Sequence, residues 1–130
     1  MRTNSPTRWQ STDNLSLNRL FVYGTLRRGS RNQFAEMLAQ RGRYAGEDRV
    51  HGRLYDFGRY PGARPEDGSI TGEVFQLLDP AATLAALDEY EGPEFERAQT
   101  RTTSGLHCWI YWYVGHSRGT PIATGDWFNR

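Results

Sequence analysis

The stretch His107–Val114, HCWIYWYV, constrains the fold more than any other, because it is apolar on both parities. In an extended chain Trp109, Tyr111 and Tyr113 point to one side, and Cys108, Ile110 and Trp112 to the other. A strand apolar on both faces is a strand covered on both faces. The rest of the chain has to supply two covering layers.

The remaining signals supply them. Leu20–Tyr23 reads as a first strand that ends abruptly at Gly24. Ser30 and Gln33 form an S-x-x-Q capping box, predicting a helix to about Gln40 with Phe34, Met37 and Leu38 on its apolar side. Val50–Phe57 reads as a strand, and FGRYPGARPEDG, with three glycines and two prolines, as a long turn or irregular loop. A strand follows near Ile70–Leu78. Asp79 and Pro80 then read as the N-cap and first residue of a second helix that stops at Gly92-Pro93. Strands over Glu96–Thr103 and His107–Val114, joined by a Ser104-Gly105 hairpin turn, lead to a possible short C-terminal strand. The expected fold is α+β: a small mixed β-barrel in the order β-α-β-β-α-β-β, with two flanking helices.

At 130 residues the chain is one domain. Residues 1–19, rich in Ser, Thr, Asn and Arg, are expected to be a disordered tail and residues 20–130 the folded domain. Neither a signal peptide's apolar segment nor a run near the ~20 apolar residues of a membrane span occurs. With one cysteine there is no internal disulfide, so a cytoplasmic protein without membrane attachment is expected. A net charge of +1 argues against a nucleic-acid partner. All 16 Lys+Arg residues are arginines, which removes lysine-based chemistry. His51, His107 and His116 are scattered without metal-ligand spacing, and no G-x-S-x-G elbow surrounds Ser30. Arg27 and Arg28 read as solvated surface side chains or as contacts to an acidic ligand.

One carboxylate stands out. At about 100° per residue, Leu84 and Leu87 define the buried stripe of the second helix, and Glu91 projects onto it at the last turn. Glu89 points away and Asp88 lies at the margin. A carboxylate driven toward an apolar interior responds with a raised pKa, which suits general acid–base catalysis near neutrality. The alternative is a helix that frays at Gly92 and releases Glu91 into solvent. Two readings also stand for YGTLRR: an ordinary turn, or unpaired N–H groups at the end of a strand offered to an anion.

Taken together, VYGTLRRG, YPG, GEVF, LDEYEG and GDW resemble the γ-glutamylcyclotransferase-like family, over about Leu20–Phe128. The closest similarity is to its short branch of γ-glutamylamine cyclotransferases and small bacterial relatives. The resemblance implies conversion of a small γ-glutamyl substrate to 5-oxoproline and a free amine, without cofactor or metal. It also implies that Glu91 is the catalytic acid and base, and that the loop Tyr23, Gly24, Thr25 and Leu26 holds the substrate's α-carboxylate. On that reading the strand breaks at Gly24 so that backbone can approach a carboxylate. Among Tyr60, Tyr111 and Tyr113, the tyrosine of YPG and a late-strand tyrosine, Tyr60 and Tyr113, are expected as pocket walls. The competing expectation is a non-catalytic module that keeps the pocket and senses a small acidic metabolite.

Overall fold

The computed structural model describes residues 17–130; residues 1–16, most of the expected tail, lie outside the described residues. The fold is already engaged at Leu17, which is buried and whose carbonyl accepts a 3.1 Å hydrogen bond from the Trp109 indole. Strand β1 (Arg19–Val22) is followed by helix α1 (Gln33–Arg41), long strands β2 (Gly42–Asp56) and β3 (Pro61–Leu77), and helix α2 (Pro80–Glu91). Strands β4 (Phe95–Arg101), β5 (His107–Tyr113) and β6 (Thr120–Pro121) complete the sheet, and a 3-10 turn spans Trp127–Asn129. The element order is the one expected, including the short last strand.

The six strands form one mixed sheet in the order β4-β5-β1-β3-β2-β6. Among the described residues only β1 and β5 pair in parallel, with Leu20 opposite Trp109. The sheet curls into a half-barrel. Its curvature brings the β4–β5 hairpin back onto β2, where the Thr103 N–H donates to the Arg49 carbonyl at 2.8 Å. Two register shifts in β2 against β3, at Tyr44/Gly46 and His51/Arg53, give the long strands this bend.

The curl creates the two apolar layers that HCWIYWYV demands. Inside it lie Phe21, Val50, Leu54, Ile70, Val74, Cys108, Ile110 and Trp127. On the convex side Leu20, Val22, Phe75, Leu77 and Tyr111 pack against Leu38 of α1 and Leu84 and Leu87 of α2. Cys108 is fully buried, and burial pushes its thiol up to about 12, so it serves as packing.

Two local expectations are corrected. Ser30 does not cap α1; Asn32 does, its side-chain oxygen accepting from the N–H groups of Phe34 and Ala35 at 3.1 and 2.8 Å. Its amide nitrogen also donates to the Thr25 carbonyl at 2.8 Å, tying the helix start to the loop after β1. Asn32→Ala is therefore expected to cost about 1 kcal/mol or somewhat more, because a loop contact goes with the cap; a melting curve measures it.

The second correction concerns FGRYPGARPEDG. Only Phe57–Tyr60 turns, closed by the Phe57 N–H on the Tyr60 carbonyl at 3.0 Å, and Pro61 already belongs to β3. Arg53 pairs with Arg64 and His51 with Ser69, so residues 65–68 bulge from a continuous strand. Pro65 and Gly68 sit at a bulge, where a missing donor and a missing side chain are tolerated.

Candidate active site

A cleft of about 380 Å³ opens at the carboxyl end of β1. Three segments meet around it: the loop Tyr23–Leu26, the β2–β3 turn Arg59–Pro61, and the end of α2 with the residues after it. Glu91 is the last residue of α2 and faces this cleft. The helix does not fray. Gly92 takes φ +80°, a conformation that favours glycine, and its N–H donates to the Asp88 carbonyl at 3.2 Å. Leu84 and Leu87 are buried beneath, on the stripe to which Glu91 also projects.

Glu91 is half-buried and makes no hydrogen bond or ion pair with the described residues. Burial alone pushes its carboxyl up to about 7. Two phenols lie near it. The Tyr23 hydroxyl donates to the Tyr111 carbonyl at 2.6 Å and accepts from the Ala63 N–H at 3.2 Å. The Tyr111 hydroxyl donates to Asp88 at 2.6 Å. Burial first, and then the charge on Glu91, raises Tyr23; burial first, and then the bond to Asp88, raises Tyr111. Both therefore stay neutral, and Glu91 is the cleft group poised to exchange a proton near neutral pH. Burial opposes the ionisation of Asp88, but hydrogen bonds from Arg97 and Tyr111 hold its carboxyl below its ordinary range. That acid is an anchor, fastening α2 to β4 and β5.

The loop after β1 leaves its backbone donors open. The N–H groups of Gly24, Thr25 and Leu26 make no hydrogen bond to the described residues, whereas the Arg27 N–H closes a turn on the Gly24 carbonyl at 3.0 Å. The Thr25 hydroxyl meets the Tyr90 hydroxyl at 3.1 Å, and the Tyr90 ring stacks on Phe34 of α1 at 4.2 Å. Gly24 has a packing reason of its own. A Cβ there would lie 2.4 Å from Pro61 Cγ, so the proline of YPG leaves room only for a glycine in YGTL.

Of the residues expected at the site, Tyr23, Gly24, Thr25, Leu26, Tyr60 and Glu91 all line the cleft. Tyr113 does not. It is buried behind the cleft against Phe57 and Phe95, and its hydroxyl accepts from the Ser117 N–H at 3.1 Å. Tyr111 takes the wall position instead. The two tyrosines share a strand parity, so alternation cannot choose between them. The pairing of Leu20 with Trp109 does, because it brings Tyr111 level with the end of β1 and carries Tyr113 past it. Sequence reasoning also missed Tyr90, Glu94, Phe95 and Arg59 on the cleft walls.

The two arginines of the loop part company. Arg28 is exposed and lies over the Tyr44 ring, 3.6 Å from its centroid. Arg27 is only 4% exposed and faces neither solvent nor the cleft. It pairs with Glu73 at 3.2 Å and Asp126 at 2.7 Å, the acids of GEVF and GDW. The expectation of a solvated or ligand-contacting Arg27 is overturned by those two carboxylates, which compensate its burial.

Relatives share this arrangement of chain. The chain is 37% identical over 116 residues to the gamma-glutamylcyclotransferase family protein YtfP of Escherichia coli, spanning 86% of this chain and 97% of that protein. It is 33% identical over 108 residues to the gamma-L-glutamyl-butirosin B gamma-glutamyl cyclotransferase of Niallia circulans, spanning 72% and 65% of the two chains. The crystal structure of an uncharacterised protein from Pyrococcus horikoshii superposes with a TM-score of 0.72 at 26% identity, covering 88% of this chain and 92% of that one. The profile of one family, described as gamma-glutamyl cyclotransferase, AIG2-like, matches residues 20–129, and the chain belongs to that family.

Proposed function

We propose that the protein is a cytoplasmic cyclotransferase that converts a small γ-glutamyl compound, a γ-glutamylamine or a γ-glutamyl amino acid, to 5-oxoproline and free amine. One observation carries the reading: the carboxyl group of Glu91 sits in the cleft without a partner among the described residues, raised by burial to about 7. The Niallia circulans relative, named as a gamma-glutamyl cyclotransferase, supports the reaction class.

In this reading the open N–H groups of Gly24, Thr25 and Leu26 hold the α-carboxylate of the glutamyl group, with Tyr23 and Tyr60 on the walls. The Glu91 carboxylate takes a proton from the α-ammonium. The freed nitrogen attacks the γ-carbonyl carbon, the new C–N bond closes the five-membered ring, and the old amide C–N bond breaks. Glu91 gives its proton to the departing nitrogen. As the lactam forms, the ring nitrogen sheds a second proton, and the amine takes one up from solvent. The atoms balance without water or cofactor as reactant. Nucleophile and electrophile belong to one molecule, so holding the substrate folded supplies much of the rate.

The test is 5-oxoproline release, read by mass spectrometry, from a panel of γ-glutamyl amines and dipeptides between pH 5 and 9. The first step needs the carboxylate form of Glu91. The expected result is a kcat/KM that falls on the acid side with an apparent pKa of about 7. Silence across the panel from folded protein selects the binding-module reading instead.

A further inference from the structure

We infer that Arg27, Glu73 and Asp126 form a positioning cluster that presets the Gly24–Leu26 loop for a carboxylate; this rests on the substrate-binding role proposed for that loop. The three residues come from the loop itself, from the later half of β3 and from the segment just before the 3-10 turn. Their contacts interlock. One oxygen of Glu73 accepts from Arg27 Nε at 3.2 Å, and the other accepts from the backbone N–H of Arg28 at 2.7 Å. A single buried carboxylate thus grips the loop by a side chain and by the adjoining backbone.

Asp126 holds the far side of the guanidinium at 2.7 Å, and the same oxygen accepts from the Phe128 N–H at 3.0 Å. The Phe128 ring covers the guanidinium, 4.1 Å from its centroid. Glu47 adds a longer contact at 3.8 Å from an exposed position. The turn that ends at the Arg27 N–H begins at the Gly24 carbonyl, so fixing Arg27 and Arg28 fixes the direction of the open donors between them.

Stability does not require such an arrangement. A buried ion pair replaced by apolar residues of like volume is often equally stable or more so. An apolar cluster, however, cannot accept the Arg28 N–H or set the loop to hydrogen-bond accuracy. A binding loop needs its donors held within about 0.5 Å, and one that orders only on binding loses affinity. Three charged groups placed to fix the turn that carries the Thr25 and Leu26 donors form the arrangement that requirement asks for.

The experiment titrates 5-oxoproline, a five-membered carboxylate, into wild type, Glu73→Gln and Asp126→Asn. Binding is followed at the backbone amide resonances of Gly24, Thr25 and Leu26, beside melting curves and KM. Both substitutions keep shape and change charge. The expected result is saturable shifts at those amides in wild type and a Kd and KM raised about tenfold in each folded variant. The apparent pKa assigned to Glu91 should stay in place. Variants that melt lower yet keep wild-type Kd and KM overturn the inference, since the cluster is then scaffold alone. No shift at the loop amides of wild type overturns it as well.

Should either variant fail to fold, wild type still decides. The Arg28 amide, bonded to buried Glu73, should exchange its hydrogen at least about tenfold more slowly than those of Thr25 and Leu26, and equal exchange rates overturn the proposal. Wild type that binds 5-oxoproline at these amides but releases none from the substrate panel sinks the cyclotransferase reading and leaves the positioning cluster standing.

Discussion

Replacing Glu91 with glutamine is expected to lower kcat/KM for 5-oxoproline release by about 10²- to 10⁴-fold, the range that a positioned acid–base group contributes. Binding of 5-oxoproline should change little, because the loop donors and not Glu91 are proposed to hold its carboxylate. The same substitution has a second, opposite effect on stability. Glu91 ionises at about 7 in the folded protein against an ordinary 4.5. The folded state therefore holds a proton that the unfolded chain has already released. The associated stability is fully present below pH 4.5 and is lost as pH rises through about 7. By pH 8 the loss amounts to at most about 3 kcal/mol. Glu91→Gln carries no such loss, so it should melt above wild type at pH 8 and level with it at pH 4. Normal turnover by the variant would remove Glu91 from the mechanism. Parallel pH dependence of the two melting curves would mean that the carboxyl is solvated.

The neighbouring arginines give the other large effect. Arg27→Met leaves the buried Glu73 and the half-buried Asp126 without their cation, and breaking a buried pair from one side costs about 3–5 kcal/mol. In a domain of this size that lowers the melting temperature by on the order of 10–20 °C. Arg28→Met removes an exposed cation from the face of Tyr44, a contact of about 0.5–1 kcal/mol. Thermal melts of the two variants side by side make the comparison. Equal, small losses would show that the Arg27 pairs are solvent-screened and contribute little.

The sequence was legible where one local signal sufficed. Asp79-Pro80 at the start of α2 and Gly92 at its end bracket the helix, and their spacing alone turns Glu91 onto the buried stripe. Six of the seven residues expected at the site line the cleft, because four lie in one loop, one lies in a turn and one ends a helix. The misses are of another kind. Ser30 and Asn32 are both good capping residues two positions apart, and only the path of the loop decides which one reaches the free N–H groups of α1. Tyr111 and Tyr113 have the same parity, and only the parallel register of β5 against β1 separates them.

By itself the sequence determined a strand that must be covered twice, the order of the elements, and a carboxylate aimed at the interior. These follow from periodicity and capping, which act over a few residues. Only the tertiary structure decided that Arg27 is buried while Arg28 is not, and that Glu73 and Asp126 meet it. The sheet's curl brings positions 27, 73 and 126 to one point. A pairing across that much chain leaves no periodic trace, because its energy depends on distance in space and not on separation along the sequence.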